Sequence, residues 1–167
     1  MTQDKFITCL WFDRGEGHKF ADFFTALLPD SRIERINTAP SDFPGGKAGD
    51  PLTIEFTLLG RPFVALDGGP ELKPTMAVSQ MVITESQEET DLYWDAITSG
   101  GGAPSECGWC TDRWGYSWQI TPRVLLEGTT SSDPAIARRV FEAMMTMGKI
   151  DHARIEAALR GDVAMTG

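Results

Sequence analysis

The chain has 167 residues, enough for one ordinary domain or two small repeats around a common core, and 41% of it is apolar. Its 15 basic and 24 acidic residues leave a net charge of −9, and no segment gathers Lys and Arg into a stripe, which argues against a nucleic-acid partner. The first residues lack a secretory signal, no apolar run approaches the roughly 20 residues of a membrane span, and three cysteines are too few for a disulfide scaffold. A soluble cytoplasmic protein with reduced thiols and no membrane partner is expected.

Residues 6–12 are nearly continuously apolar and predict a first strand covered on both faces. Gly15 and Gly17 break it. A helix over 16–28 follows, because Phe20, Phe23, Phe24, Leu27 and Leu28 recur at the spacing of one buried stripe. Residues 32–38 alternate as a strand, and 39–51, with three prolines and three glycines, read as a mobile loop. Residues 52–59 and 62–67 predict a hairpin joined at Gly60-Arg61. The order so far is βαβββ.

The same order begins again with a strand over 76–84 and a helix over 87–99 carrying Leu92, Tyr93, Ala96 and Ile97. Shorter strands are expected near 104–109 and 116–121. Leu10 to Phe23 and Gln80 to Tyr93 are each separated by 13 residues, so strand and helix are phased alike in both halves. Beyond Pro122, Asp133 can cap a helix with Pro134 at its first position, and Asp151 can cap a last helix through Leu159. One domain is expected, comprising a first unit over 5–70, a second over 74–125 and a C-terminal helical extension over 132–161.

Residues 107–122 hold three of the five tryptophans and two of the three cysteines. Such a run suits a dense hairpin core or a ligand pocket. Cys107-Gly-Trp-Cys110 has redox-motif spacing, but it precedes a turn and a strand instead of capping a helix, and no second pair completes a zinc site.

Two βαβββ units in tandem resemble the vicinal oxygen chelate superfamily of glyoxalases, extradiol dioxygenases and antibiotic-resistance proteins. Five segments are similar in detail to its PhnB-like family, often labelled a 3-demethylubiquinone-9 3-methyltransferase domain. They are Leu10-Trp11-Phe12-Asp13, the stretch from Phe23-Phe24 to Ser31, residues 63–70, Cys107-Gly108-Trp109 with 112–122, and Met147-Gly148-Lys149-Ile150-Asp151. The likeness runs from about Lys5 to Gly161. It implies an α+β fold of the glyoxalase/bleomycin-resistance/dioxygenase type, in which two units curl a mixed sheet around a cleft, and a homodimer.

Metal enzymes of that superfamily hold a divalent ion through inward His and Glu on the first, fourth, fifth and eighth strands. The matching strands here offer Thr8, Cys9 and Leu10, then Ala65 and Asp67, then Gln80, then Gln119. Only Asp67 is a natural ligand, since a neutral amide lacks the charge that offsets dehydration of the ion. His18 and His152 read as solvated or capping residues. No cofactor and no tightly bound metal are expected. The alternatives are a metal-dependent glyoxalase or dioxygenase type of enzyme, with a divalent metal on Asp67, and the methyltransferase of the label. Against the latter, Gly68-Gly69-Pro70 reads as a turn in an antiparallel context.

The expected partner is a small, partly aromatic or apolar organic molecule, with Trp11, Gln80, Trp109 and Gln119 as ligand-binding candidates. Trp118 and Gln119, being adjacent on a strand, cannot both face a ligand. Cys107 is the candidate catalytic nucleophile, with Arg113 to stabilise its thiolate, and an inert buried thiol is the other reading.

Overall fold

Strand β1 (Thr8–Phe12) alternates in burial: Leu10 and Phe12 are buried, Cys9 is exposed and Trp11 half-buried. The expectation of a strand covered on both faces is thereby corrected, because a thiol and an indole on the open side hid the alternation. The structure, a computed structural model, describes residues 5–162. It divides into two units, one up to Pro74 and one from Thr75.

In the first unit β1 is followed by α1 (Glu16–Leu27), β2 (Arg32–Thr38), β3 (Pro51–Leu58) and β4 (Arg61–Asp67). The sheet order is β1-β4-β3-β2, with β1 parallel to β4 and the other pairs antiparallel. Helix α1 covers one face, where Phe20 and Phe24 are fully buried against Phe12, Ile54, Phe56 and Ala65. Ring centroids of Phe12–Phe20 and Phe20–Phe24 lie 5.0 and 4.5 Å apart. Each such phenyl ring contributes about 2–3 kcal/mol of burial, so the predicted stripe holds the helix down.

The β3–β4 turn falls one residue earlier than expected. Leu59 (φ 50°) and Gly60 (φ 72°) are both left-handed, and Leu58 already pairs with Arg61. Two left-handed residues between paired strands make the tight hairpin turn whose twist matches the sheet. Residues 39–50 are tied down by their own hydrogen bonds instead of forming a free loop. Ala39 is buried and exchanges bonds with Asp50 and Gly49 (both 2.8 Å), while Asp42 Oδ1 accepts the Ala48 N–H at 3.0 Å.

The second unit repeats the topology with β5 (Ser79–Thr84), α2 (Gln87–Ser99), β6 (Ala103–Pro104), β7 (Trp109–Thr111) and β8 (Ser117–Pro122), in the order β5-β8-β7-β6. Strand β5 starts three residues later than predicted, since Thr75 accepts a hydrogen bond from the Val78 N–H and turns the chain. The expected strand near 104–109 is two short strands around a turn, which completes the second βαβββ order. Beneath α2 lie Val82, Thr84, Cys110, Trp118 and Ile120, packed with Tyr93, Trp94 and Ile97.

Helices α3 (Arg123–Thr129), α4 (Pro134–Met144) and α5 (His152–Arg160) complete this unit around Leu125, Val140, Met147, Ile150 and Ile155. Asp133 and Asp151 cap α4 and α5 as expected, accepting from Ala135 N–H (2.8 Å) and Arg154 N–H (3.1 Å). The α4–α5 connection is bonded to the β6–β7 turn: Cys107 N–H donates to Met147 O (2.7 Å) and Gly108 N–H to Gly148 O (2.8 Å). At Gly108, with φ +81°, a Cβ would sit 2.9 Å from Ile120 O and 3.1 Å from Ile150, so glycine alone fits there.

Candidate functional site

Each sheet has one face under its helix and one open face, and cross-strand partners share a face. In the second sheet Gln119 pairs with Trp109 and Met81, and Ser117 with Thr111 and Ser79, all on the face turned away from α2. Gln80 pairs with Trp118 and shares the helix side with it. Gln80 and Gln119 are therefore not brought together, and the β5 residues beside Gln119 are Ser79 and Met81. Gln119 Nε2 donates to Ser79 Oγ at 2.8 Å. The Ser117 hydroxyl is buried with no hydrogen-bond partner among the described residues.

Trp118 belongs to the core, and its indole N–H donates to Asp112 Oδ2 at 2.8 Å. Asp112 Oδ1 also accepts the Trp114 and Tyr116 N–H groups (2.9 and 3.0 Å), which closes the β7–β8 turn. Burial pushes the Asp112 pKa up to about 6, although these donors favour its charged form. Half of the tryptophan-rich run is thus a turn built around one buried carboxylate.

On the first sheet's open face the cross-strand rows are Arg32–Thr57–Pro62, Arg35–Glu55–Val64–Cys9 and Asn37–Thr53–Leu66–Trp11. Over the first two rows, with Ile7, lies a cavity of about 740 Å³. Arg32 is paired with Glu34 (2.7 Å), and Glu55 accepts from Asn37 Nδ2 (3.0 Å). Arg35 makes no ion pair among the described residues, and Thr57 Oγ1 is buried without a partner. Sequence reasoning passed over this face. Its signal was the alternation of Thr53, Glu55 and Thr57 with the core residues Ile54, Phe56 and Leu58.

Trp11 is half-buried on the same face, with its indole N–H on Gly69 O at 2.8 Å. A Cβ on Gly68 would lie 2.4 Å from that indole, so the glycine pair serves the packing of Trp11. The Gly68-Gly69-Pro70 turn follows β4, which runs parallel to β1 and antiparallel to β3, and so the antiparallel context expected from sequence is only half of it. The element after it is β5, not a helix whose N-terminus could hold a phosphate.

Asp67 is buried on the helix side. Its Oδ1 accepts Gly17 N–H (2.9 Å) and its Oδ2 accepts Gly15 N–H (3.0 Å). Helix α1 begins at a glycine without a side-chain cap, so a carboxylate from β4 caps it. Burial raises the Asp67 pKa, and the two glycine N–H groups pull it partly back. Among the described residues no three His, Cys, Asp or Glu side chains gather as a metal site would require. His18 lies 3.6 Å from Asp22, and His152 Nε2 is 2.9 Å from Thr90 Oγ1.

The three cysteines are free. Cys107 sits at φ 57° in the β6–β7 turn with its sulfur 3.6 Å from Met145 Sδ. Arg113 lies over the Trp114 ring, 4.5 Å from its centroid, in the turn at the other end of β7. Cys110 is buried, and desolvation with the nearby Asp112 charge pushes its thiol up to about 12. We expect iodoacetamide at pH 8 to label Cys9 and Cys107 in the native protein and Cys110 only after unfolding, read by peptide mass spectrometry. Native labelling of Cys110 would show that the α2 face opens. Burial raises the Cys9 pKa and slows that thiol by itself, so a catalytic thiol would be favoured only by labelling of Cys107 faster than the same cysteine in the unfolded chain.

The paired βαβββ topology defines the class: the fold is α+β of the glyoxalase/bleomycin-resistance/dioxygenase type, the vicinal oxygen chelate superfamily. Within it, the model of the 3-demethylubiquinone-9 3-methyltransferase family matches residues 4–121, and the chain belongs to this PhnB-like family. Helices α3 to α5 lie beyond the matched segment, which is shorter than the likeness read from the sequence. The solved PhnB protein of Bacillus cereus is 30% identical, with a TM-score of 0.63 over 71% of this chain and 99% of its own. A Pseudomonas aeruginosa protein is 15% identical, with a TM-score of 0.57 over 72% of this chain and 98% of its own. A variant of the fosfomycin resistance protein FosX of Listeria monocytogenes, solved with Mn(II) and a dihydroxypropylphosphonic acid, is 14% identical, with a TM-score of 0.50 over 72% and 93%. The last two share the fold alone. A search of curated proteins gave no match. Among the described residues no helix is long and apolar enough to cross a membrane.

Proposed function

We propose that this PhnB-like chain binds a small organic molecule on the open faces of its sheets, without a tightly bound metal. The cavity of about 740 Å³ over the first sheet carries this reading: its size is that of small-ligand sites, and its wall mixes apolar and polar side chains. Trp11, Trp109 and Gln119 lie on open faces and are proposed as further contacts, whereas Gln80, on the helix side, is left out.

FosX is solved with Mn(II), and a divalent ion is the natural rival here. The donors fit it poorly. Asp67 spends both oxygens on the start of α1, and Gln119 is a neutral amide already donating to Ser79. The methyltransferase description meets a similar difficulty, since Gly68 of the glycine pair is packed on the Trp11 indole and is not free to approach a nucleotide. The family resemblance extends the reading to a homodimer, and three free thiols suit a reducing cytoplasm.

The test uses protein purified from its own cells, denatured and analysed for released small molecules by mass spectrometry and for metals by elemental analysis. An organic molecule in near-stoichiometric amount is expected. A full equivalent of zinc, nickel or manganese surviving dialysis would overturn the metal-free reading.

A further inference from the structure

The cavity of the first sheet has two chemically different ends. Ile7, Pro62 and Val64 form an apolar side towards β4 and β1, and Arg35 and Thr57 form a polar side on β2 and β3. Resting on the proposal that this open face binds a small organic molecule, we infer that the cavity takes a carboxylate with an apolar body, its anion on Arg35 and its body on Ile7, Pro62 and Val64.

Three observations narrow the ligand to that class. Arg35 stands opposite Glu55 in the sheet yet forms no ion pair among the described residues, because Glu55 is turned to the Asn37 amide at 3.0 Å. The neighbouring Arg32 is held by Glu34, so Arg35 is the guanidinium left to meet an anion. Its fork of N–H donors matches the two oxygens of a carboxylate, and it is a local attractive point in a chain of net charge −9. Second, Thr57 lines the wall with a buried hydroxyl that has no partner among the described residues, and a turn about its χ1 would bring that hydroxyl out to donate to a carboxylate oxygen. Third, the Glu55 carboxylate beside Arg35 repels a second negative charge, which disfavours a phosphate dianion and leaves a monoanion as the better fit. The apolar side then receives the part of the ligand that water solvates badly.

The probes are 3-phenylpropionate and its neutral amide, 3-phenylpropanamide, titrated into the ¹⁵N-labelled full chain and followed by amide chemical shifts. The acid is expected to shift the amides of Arg35, Thr57 and Val64 and to bind about tenfold tighter than the neutral compound. R35Q should bring the acid down to the level of the amide, R35K should restore part of the difference, and T57V should weaken the acid about threefold, each with an otherwise native spectrum. Equal binding of the two probes would overturn the carboxylate assignment while leaving small-molecule binding on this face standing. Shifts from neither probe would remove both. If these amides are instead shielded from a soluble paramagnetic agent and the protein sediments as a dimer, a second copy of the chain covers the face and the inference fails.

Discussion

Replacing Asp112 by alanine should cost about 3 kcal/mol at pH 7, measured as a lowered urea midpoint with an unchanged slope. Donors converge on this carboxylate from the β7–β8 turn and the core, among them the N–H groups of Trp114 and Tyr116 and the indole N–H of Trp118. All lie in or under the β7–β8 turn, and Trp118 is among the largest fully buried side chains. Alanine removes the acceptor of the Trp118 indole inside the core and of the two N–H groups in the half-buried turn. D112N separates geometry from charge. The amide oxygen can still accept from Trp114 and Tyr116, but its NH₂ would face the indole N–H, so a smaller loss of about 1–2 kcal/mol is expected. Combining D112A with W118F should cost less than the sum, since the second change removes the donor that the first orphaned.

The same residue gives the fold a pH dependence of definite sign. Burial raises its pKa to about 6 in the folded state, above the ordinary aspartate value. Between those two values the folded chain binds a proton that the unfolded chain has lost, so this group stabilises the fold at low pH and the contribution is lost as pH rises through 6. With about 1.4 kcal/mol per unit, the loss amounts to up to about 3 kcal/mol between pH 4 and 6. The difference in stability between the wild type and D112N should therefore move against the wild type over that interval. A carboxyl carbon titrating near pH 4 by NMR, or parallel pH profiles for the two proteins, would refute the assignment.

The second large effect is expected at Asp67. D67A leaves the Gly15 and Gly17 N–H groups without an acceptor at the start of α1 and should cost about 2–3 kcal/mol in urea unfolding. D67N keeps an acceptor but loses the charge at the positive end of the helix and should fall between. From the other side of the contact, a Cβ on Gly17 would lie 2.6 Å from Asp67 Oδ1 and 2.9 Å from Ala65 Cβ. G17A should therefore cost about 2 kcal/mol although alanine favours helix, which a purely local view of α1 would not anticipate. If D67A proved neutral while altering metal content, Asp67 would be a ligand and not a cap.

Asp67 also shows where sequence reasoning stops. A carboxylate at the end of a fourth strand has the chemistry of a metal ligand, and nothing local says that its oxygens are engaged some fifty residues earlier. The reason lies at Gly15, which has no side chain to close its own helix. In the second unit the corresponding cap is local, Ser86 accepting from Glu89 N–H at 3.2 Å, so the two repeats solve one problem differently. Gln80 and Gln119 give a second case. Periodicity places each on its strand, but one residue of register decides which face a strand residue takes, and β5 pairs with β8 so that Gln80 meets Trp118.

What the sequence determined by itself is the repeated βαβββ order, the stripe of Phe20 and Phe24, and the Asp133 and Asp151 caps. These follow from periodicities and hydrogen bonds that close within a few residues. The tertiary structure alone decided which strand residues share an open face, that Asp67 closes α1, and that Asp112 holds Trp118. Those partnerships depend on strand register and on contacts across the fold, where a shift of one residue exchanges core for surface.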